Sequence, residues 1–277
     1  MNINLLAKKL PFRKMHGLEN DFVVLDARQK EIILSKSEII AIADRRAGIG
    51  FDQLLIIQPS QKSNGVFMSV YNSSGDRVET CGNGARCIAK IVMDDLNIDE
   101  IVIETLAGPI KAIRQQDDLI TVNLGKVKTG WKEIPLKQEL DTLNLDLGIE
   151  ALPSGVAVNV GNPHIVFFIR NLDNIDLNKI GPKVNSNKIF SEGVNVEFAQ
   201  LLSEDHIRMR VWERGVGITK ACGTGACATL AAAVKKGLSQ KFARVTLDGG
   251  DLFVELTEND EVKMTGPANN SFTGFID

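Results

Sequence analysis

Two glycine-rich stretches, each beginning with a cysteine, decide the architecture of this chain. They read Cys81-Gly82-Asn83-Gly84-Ala85-Arg86 and Cys222-Gly223-Thr224-Gly225-Ala226-Cys227. The interval from Cys81 to Cys222 differs by only one position from the interval between Asn20 and Asn162, and Gln53 and Asn195 share that second interval. A spacing this regular indicates an internal duplication, and a repeat that takes up half of the chain is too long for a solenoid unit. The spacing therefore predicts two similar domains that face each other.

The residues around each cysteine predict a strand followed by a buried helix. Before the second cysteine, residues 207–211 alternate between apolar residues and arginines, and residues 66–71 lead to the first cysteine in a similar way. After each cysteine, apolar residues recur at helical spacing, and Gly237 is a candidate cap for the end of the second helix. Shorter helices are expected over 37–45 and 174–185.

A cysteine at the beginning of a helix is well placed for proton transfer. Free backbone N–H groups and the positive end of the helix dipole favour an anion there, and they lower a thiol pKa from its usual ~8.5. The neighbouring glycines let a ligand approach the backbone. Two such anion sites around one carboxylate give the geometry for inversion at a carbon, in which one thiolate removes a proton and the other thiol delivers one. Cys87 and Cys227, deeper in the helices, are expected to be inert core thiols.

Composition excludes several classes of protein. The chain has 277 residues, of which 44% are apolar and 24% charged, with a formal net charge of −3. This balance favours neither a nucleic-acid nor a membrane partner. No apolar run long enough to span a membrane and no secretory signal is evident, so a cytoplasmic protein is expected. The four cysteines lack the usual spacing of zinc ligands, so no metal is expected.

Further motifs run through most of the chain and make it resemble the diaminopimelate epimerase family. They are Lys14-Met15-His16-Gly17-Leu18-Glu19-Asn20-Asp21-Phe22, Gly48-Ile49-Gly50-Phe51-Asp52-Gln53, Tyr71-Asn72, the two cysteine stretches, Gly161-Asn162-Pro163-His164, Glu192-Gly193-Val194-Asn195-Val196 and Glu213-Arg214-Gly215. The resemblance implies an α/β fold of two similar domains, each a strand-rich barrel around a central helix. We expect these domains at 1–125, with 268–277 returning to the first, and at 126–267.

The resemblance also implies an activity. Members of this family interconvert LL- and meso-diaminopimelate without pyridoxal phosphate or any other cofactor, and the product feeds lysine and peptidoglycan synthesis. The family further suggests a homodimer. Diaminopimelate carries an amino acid at each end, so its site needs a cation for the distal carboxylate and acceptors for the distal ammonium.

The motifs carry roles over to individual residues. Cys81 and Cys222 correspond to the acid–base pair, and the backbone around Gly82, Asn83, Gly223 and Thr224 to the holder of the reacting carboxylate. Asn20 and Glu213 resemble residues near the reacting amino group. The distal end of the substrate corresponds to Asn72, Asn162, Asn195 and Arg214, with Gln53 at the pocket edge. His164 is expected to support the site rather than to catalyse.

Two positions depart from the family pattern, and three alternative functions remain open. Glu19 stands where the family usually has glycine, and Ile218 where glutamate is common, while the tail Met1–Lys9 has no assigned role. A proline or hydroxyproline racemase also uses two cysteines, but a small cyclic substrate does not need Arg214. A phenazine-pathway isomerase lacks the cysteine pair. A non-catalytic protein that binds small anions is the alternative from another class.

Overall fold

The chain forms two compact units in a computed structural model, which describes residues 9–60, 65–150 and 152–277. The first unit comprises the described residues up to Val122 together with Pro267–Asp277, and the second those of Asn123–Gly266. The domain boundaries expected from the sequence, after residues 125 and 267, stay predictions. Of the tail without an assigned role, residues 1–8 lie outside the described residues.

The first unit is built mainly from strands. Its strands are β1 (Leu10–Gly17), β2 (Asn20–Asp26), β3 (Gln53–Pro59), β4 (Val66–Asn72), β5 (Arg77–Val78), β6 (Glu100–Thr105), β7 (Gly108–Arg114) and β17 (Asn269–Ile276); β8 (Ile120–Lys126) begins here and ends in the second unit. Its helices are α1 (Lys36–Ala43) and α2 (Gly82–Leu96), and a 3₁₀ turn covers Gln116–Asp118.

The second unit contains a similar set of elements. Its strands are β9 (Val156–Asn159), β10 (Pro163–Phe168), β11 (Asn195–Ser203), β12 (His206–Glu213), β13 (Gly217–Thr219), β14 (Phe242–Leu247), β15 (Gly250–Leu256) and β16 (Glu261–Gly266). Its helices are α3 (Leu177–Asn185) and α4 (Gly223–Lys235), with a 3₁₀ turn at Leu172–Asn174. No helix in the described parts of the chain is long and apolar enough to cross a membrane.

The two units repeat one order of strand pairing. In the first unit, β1–β2 is antiparallel, β2–β3 parallel, β3–β4 antiparallel, β4–β6 parallel and β6–β7 antiparallel. In the second, β9–β10, β10–β11, β11–β12, β12–β14 and β14–β15 follow the same alternation. The register agrees as well, because Phe22 opposes Gln53 in the first unit and His164 opposes Asn195 in the second. The duplicated α/β fold expected from the cysteine stretches is confirmed.

One helix in each unit is enclosed by strands. In α4 the residues from Gly223 to Ala233 are all buried, and strands β9 to β12 and β14 to β16 pack against it. Most of these helical residues are small, so the strands approach the helix closely. Helix α2 is buried from Gly82 to Met93 except at Lys90, and it packs against β1, β2, β6 and β7.

The shorter helices begin and end slightly differently from the sequence expectation. Helix α1 begins at Lys36 because Ser35 caps it, with Ser35 and Glu38 forming a reciprocal capping box. Helix α3 begins only at Leu177, where the Asp176 side chain accepts a hydrogen bond from Lys179 N at 3.3 Å. Gly237 follows the end of α4 with φ +67°, as expected for a terminating glycine.

The turn between β1 and β2 shows what the departure at Glu19 costs. Leu18 and Glu19 both have positive φ, 57° and 65°. A two-residue hairpin turn favours this backbone, which glycine adopts without strain. A glutamate there costs about 1 kcal/mol. The other departure, Ile218, lies on β13 with 39% of its surface exposed.

Candidate active site

Cys81 and Cys222 cap the two central helices in the same way. Each has an extended backbone, with φ/ψ of −146°/111° and −121°/108°. Each sulfur accepts a hydrogen bond at 3.3 Å from the backbone N–H three residues later, that of Gly84 or Gly225. The sulfurs thus occupy the position that Ser or Asp takes in an ordinary helix cap.

The first two N–H groups of each helix are directed out of the helix end. The first helical hydrogen bonds run from Ala85 N to Cys81 O at 2.8 Å and from Ala226 N to Cys222 O at 3.0 Å. The N–H groups at 82 and 83, and at 223 and 224, come before these bonds, as the first groups of any helix do. Each thiol therefore adjoins a helix end suited to an anion.

Cys222 lies in acidic surroundings. The Cys222 thiol hydrogen-bonds Glu213, which also accepts a hydrogen bond from Thr219. Cys222 Sγ also lies 3.5 Å from the Thr224 hydroxyl oxygen. Burial raises the pKa of Glu213, and the hydrogen bonds from Thr219 and Cys222 oppose this shift. A thiol and a carboxyl group therefore stand side by side at the beginning of α4.

The expectation that the helix end lowers the cysteine pKa is wrong for Cys222. Burial raises its pKa well above the usual value, and the negative charges of Glu213 and Glu197 raise it further. The hydrogen bonds from the Thr224 hydroxyl and Gly225 N lower it, but by less. Only 4% of Cys222 is exposed, so loss of solvation outweighs the helix end. Cys222 consequently holds its proton at neutral pH.

The site residues of the first unit form two hydrogen-bonded groups. Asn83, on the first turn of α2, donates from Nδ2 to Asn20 Oδ1 at 3.2 Å, and Asn20 Nδ2 donates to Asp52 at 2.9 Å. Gln53 Nε2 donates to Asn72 Oδ1 at 3.2 Å, and these two residues are directly opposed on β3 and β4. Gln53 Oε1 is buried and has no hydrogen-bond partner among the described residues.

The site residues of the second unit are linked through backbone groups. Asn195 donates from Nδ2 to Pro163 O and accepts from Arg214 N, both at 2.9 Å. Arg214 Nη1 donates to the Glu192 carbonyl at 3.2 Å and lies 3.9 Å from the Glu192 carboxylate. Asn162 Oδ1 lies 2.7 Å from His164 Nε2. In the first unit, the beginning of α2 is thus linked to Asn20, while Gln53 and Asn72 form a separate pair.

Three charged residues were missed by the sequence reasoning. Asp52 orients Asn20 through the hydrogen bond described above. Arg86 is fully buried and donates to Asn83 Oδ1 at 3.0 Å and to Pro267 O at 3.2 Å. Glu197 is fully buried in β11. Its signal was a single charged residue in an otherwise apolar run of strand, and Arg86 was similarly isolated on the buried face of α2.

No group of three or more His, Cys, Asp or Glu side chains suited to a metal ion occurs among residues 9–60, 65–150 and 152–277. All four cysteines are thiols. Cys87 and Cys227 are fully buried, and burial raises the pKa of Cys87 to about 12. Such thiols are unreactive at neutral pH.

Comparison with known proteins identifies the family. The family model described as diaminopimelate epimerase matches residues 12–130 and 156–270. The chain is 43% identical to the diaminopimelate epimerase of Rhodospirillum centenum, over 96% of this chain and 91% of that protein. It is 44% identical to the diaminopimelate epimerase of Sphingopyxis alaskensis, over 96% and 97%. The chain belongs to the diaminopimelate epimerase family.

Solved structures share the fold of this family member at low identity. A hydroxyproline epimerase from Agrobacterium vitis matches with a TM-score of 0.70 and 14% identity, over 96% of this chain and 90% of that chain. A phenazine biosynthesis protein of the PhzF family from Bacillus anthracis matches with a TM-score of 0.68 and 17% identity, over 98% and 99%. These likenesses concern the fold alone, whereas the family model and the two curated relatives determine the family. As the family is one of epimerases, the chain is classed as an isomerase.

The raised pKa of Cys222 predicts how its thiol reacts in this epimerase family member. In a Cys81→Ala variant, iodoacetamide should alkylate Cys222 slowly at pH 7, and the rate should rise about tenfold per pH unit because only the thiolate reacts. Replacing Glu213 with glutamine removes a negative charge, so the rate at pH 8 should increase. Mass spectrometry of the Cys222 peptide follows the reaction. Fast alkylation that is independent of pH would contradict the raised pKa.

Proposed function

We propose that this protein interconverts LL- and meso-diaminopimelate without a cofactor, with Cys81 and Cys222 as its acid–base pair. The proposal rests on one observation: a chain of this family caps both central helices with a cysteine followed by the same glycine-spaced turn. The two curated relatives described above bear the name of this activity.

The proposed reaction moves one proton at each face of the α-carbon. One cysteine, as thiolate, removes the α-proton, and the electron pair of the broken C–H bond moves into the carboxylate. The other cysteine, as thiol, delivers a proton to the opposite face, and the two sulfurs exchange protonation states. The mechanism requires that both helix ends face one substrate, with N–H groups of Gly82, Asn83, Gly223 and Thr224 stabilising the charge on the carboxylate. The protonated state of Cys222 fits a proton donor in the direction in which Cys81 is the base.

The remaining site residues hold the rest of the substrate in this proposal. Asn20 and Glu213 bind the reacting amino group. Arg214 pairs with the distal carboxylate, and Asn72, Asn162 and Asn195 bind the distal amino-acid group, with Gln53 at the edge. The amides supply both donors and acceptors, which a group carrying an ammonium and a carboxylate requires. The product would supply lysine and peptidoglycan synthesis in the cytoplasm.

The decisive experiment is proton NMR of LL-diaminopimelate with the purified, reduced protein in D₂O and no added cofactor. Loss of the α-proton signal together with appearance of the meso isomer is the expected result. If a folded, reduced protein produced neither, the proposal would be wrong. Exchange at the α-carbon of proline or hydroxyproline instead would then identify a racemase, and binding without exchange would identify an anion-binding protein.

We also propose that the protein assembles as a homodimer. Strand β17 exposes two aromatic side chains, with 50% of Phe272 and 63% of Phe275 accessible. Aromatic residues are enriched at protein interfaces. Light scattering is expected to give twice the chain mass, and Phe275→Lys is expected to shift it toward the monomer. A monomeric wild type at micromolar concentration would contradict this assembly.

A further inference from the structure

A buried carboxyl–imidazole pair lies beneath the beginning of α4. His164 Nδ1 is 2.7 Å from Glu197 Oε1, and both side chains are fully inaccessible to solvent. The other ring nitrogen, Nε2, is 2.7 Å from Asn162 Oδ1. Glu197 also touches the helix end, since a Cβ at Gly225 would lie 2.9 Å from Glu197 Oε1. The pair therefore joins a site amide to the turn that holds Cys222.

The first unit has apolar residues at the matching positions. The shared register, with Phe22 opposite Gln53 and His164 opposite Asn195, makes Phe22 the counterpart of His164. Two residues along the strand, Leu55 is then the counterpart of Glu197. The contact is duplicated too, because a Cβ at Gly84 would lie 3.0 Å from Leu55 Cδ1. This fold accommodates a Phe and Leu pair under a capping cysteine, so packing does not demand His164 and Glu197.

Burying the polar pair lowers the stability of the fold, and packing alone does not offset this loss. Burying two ionisable groups is unfavourable, and apolar replacements of similar size are often neutral or stabilising. Glu197 Oε2 is buried without a partner among the described residues, which adds to the cost. A polar pair kept under these conditions points to a role in the site.

The hydrogen bonds show what the pair does to Asn162. Asn162 Oδ1 can only accept a hydrogen bond, so its 2.7 Å contact with Nε2 places a ring proton on Nε2, and a second proton bridges the 2.7 Å contact between Nδ1 and Glu197 Oε1. An Nε2–H group donates to Asn162 Oδ1, and this turns the Asn162 amide oxygen inward and its NH₂ group outward. We propose that Glu197 is a positioning residue that acts through His164 to present Asn162 to the substrate as a hydrogen-bond donor. Without Glu197, the ring has two neutral tautomers, and the amide has two orientations.

This inference rests on the proposed function, because Asn162 is a substrate contact only there. Glu197→Leu, which copies Leu55, should raise KM for diaminopimelate about tenfold. Glu197→Gln should restore KM, since its amide donates to Nδ1 and keeps the proton on Nε2. In an Asn162→Ala background, Glu197→Leu should add nothing to KM. If Glu197→Leu does not fold, the double variant His164→Phe/Glu197→Leu is used in its place, because it copies the Phe22 and Leu55 pair of the first unit.

A second readout is independent of turnover. The chain has three histidines, so ¹⁵N spectra of their rings are simple to assign. Wild type and Glu197→Gln should show His164 Nε2 protonated, and Glu197→Leu should show a mixture of tautomers. Wild-type KM in Glu197→Leu, an equal defect in Glu197→Gln, or a single Nε2–H tautomer in Glu197→Leu would overturn the inference. An inactive wild type would refute the proposed function, while the ring spectra would still decide whether Glu197 fixes the tautomer of His164.

Discussion

Replacing either Cys81 or Cys222 with alanine is expected to abolish epimerisation, with kcat lowered by about 10³-fold or more. Each thiol serves one face of the α-carbon, so a single remaining cysteine cannot both remove and deliver the proton. The measurement is formation of the meso isomer from LL-diaminopimelate, followed by NMR in D₂O. Substantial turnover in either variant would contradict the mechanism with two thiols.

The chain supplies its own matched controls for this experiment. Cys87→Ala and Cys227→Ala each remove a thiol from the same two helices, a short distance beyond the capping cysteine. Both side chains are buried, so the variants test the effect of a small core cavity without touching the site. They should keep kcat within about threefold of wild type. Loss of activity in these controls would mean that the fold, rather than the chemistry, fails.

Arg214→Ala is expected to raise KM for diaminopimelate about 100-fold while changing kcat less. In the proposed site, Arg214 pairs with the distal carboxylate through two parallel N–H groups. Its guanidinium is held in place by the Glu192 carbonyl, and its backbone N–H by Asn195. Steady-state kinetics over a wide range of substrate concentration give both constants.

A substrate and a conservative variant identify what Arg214 recognises. L-Lysine resembles diaminopimelate without the distal carboxylate, so wild type should favour diaminopimelate over lysine and Arg214→Ala should lose most of this preference. Arg214→Lys keeps the charge but loses the two parallel N–H donors, so its KM for diaminopimelate should fall between those of wild type and Arg214→Ala. If Arg214→Ala kept the full preference, another group would have to hold the distal carboxylate.

The sequence alone was sufficient for the duplicated fold and for the positions of the capping cysteines. The offset between Asn20 and Asn162 and between Gln53 and Asn195 reappears as an identical strand register in the two units. These features follow from local pattern and repetition, which a sequence displays directly.

The properties that depend on residues distant along the chain were not predictable from the sequence. A helix beginning suggested a lowered pKa for Cys222, but burial by surrounding strands and the charges of Glu213 and Glu197 reverse the direction. Likewise, Arg86 looks like an ordinary helical residue until the fold brings it to Pro267, in a distant part of the sequence. Local propensity contains no information on such contacts.

Strand β17 has a consequence for the order in which the chain folds during synthesis. It pairs with β1 from Leu10 to His16, although β1 is made first and β17 last. At ordinary translation speeds, β1 leaves the ribosome on the order of 10 to 50 s before its partner. The second unit lies wholly between them and is complete before the first. A nascent chain therefore exposes an open strand edge near its beginning until β17 is made, and a premature stop codon before residue 269 leaves incomplete the unit whose synthesis begins first.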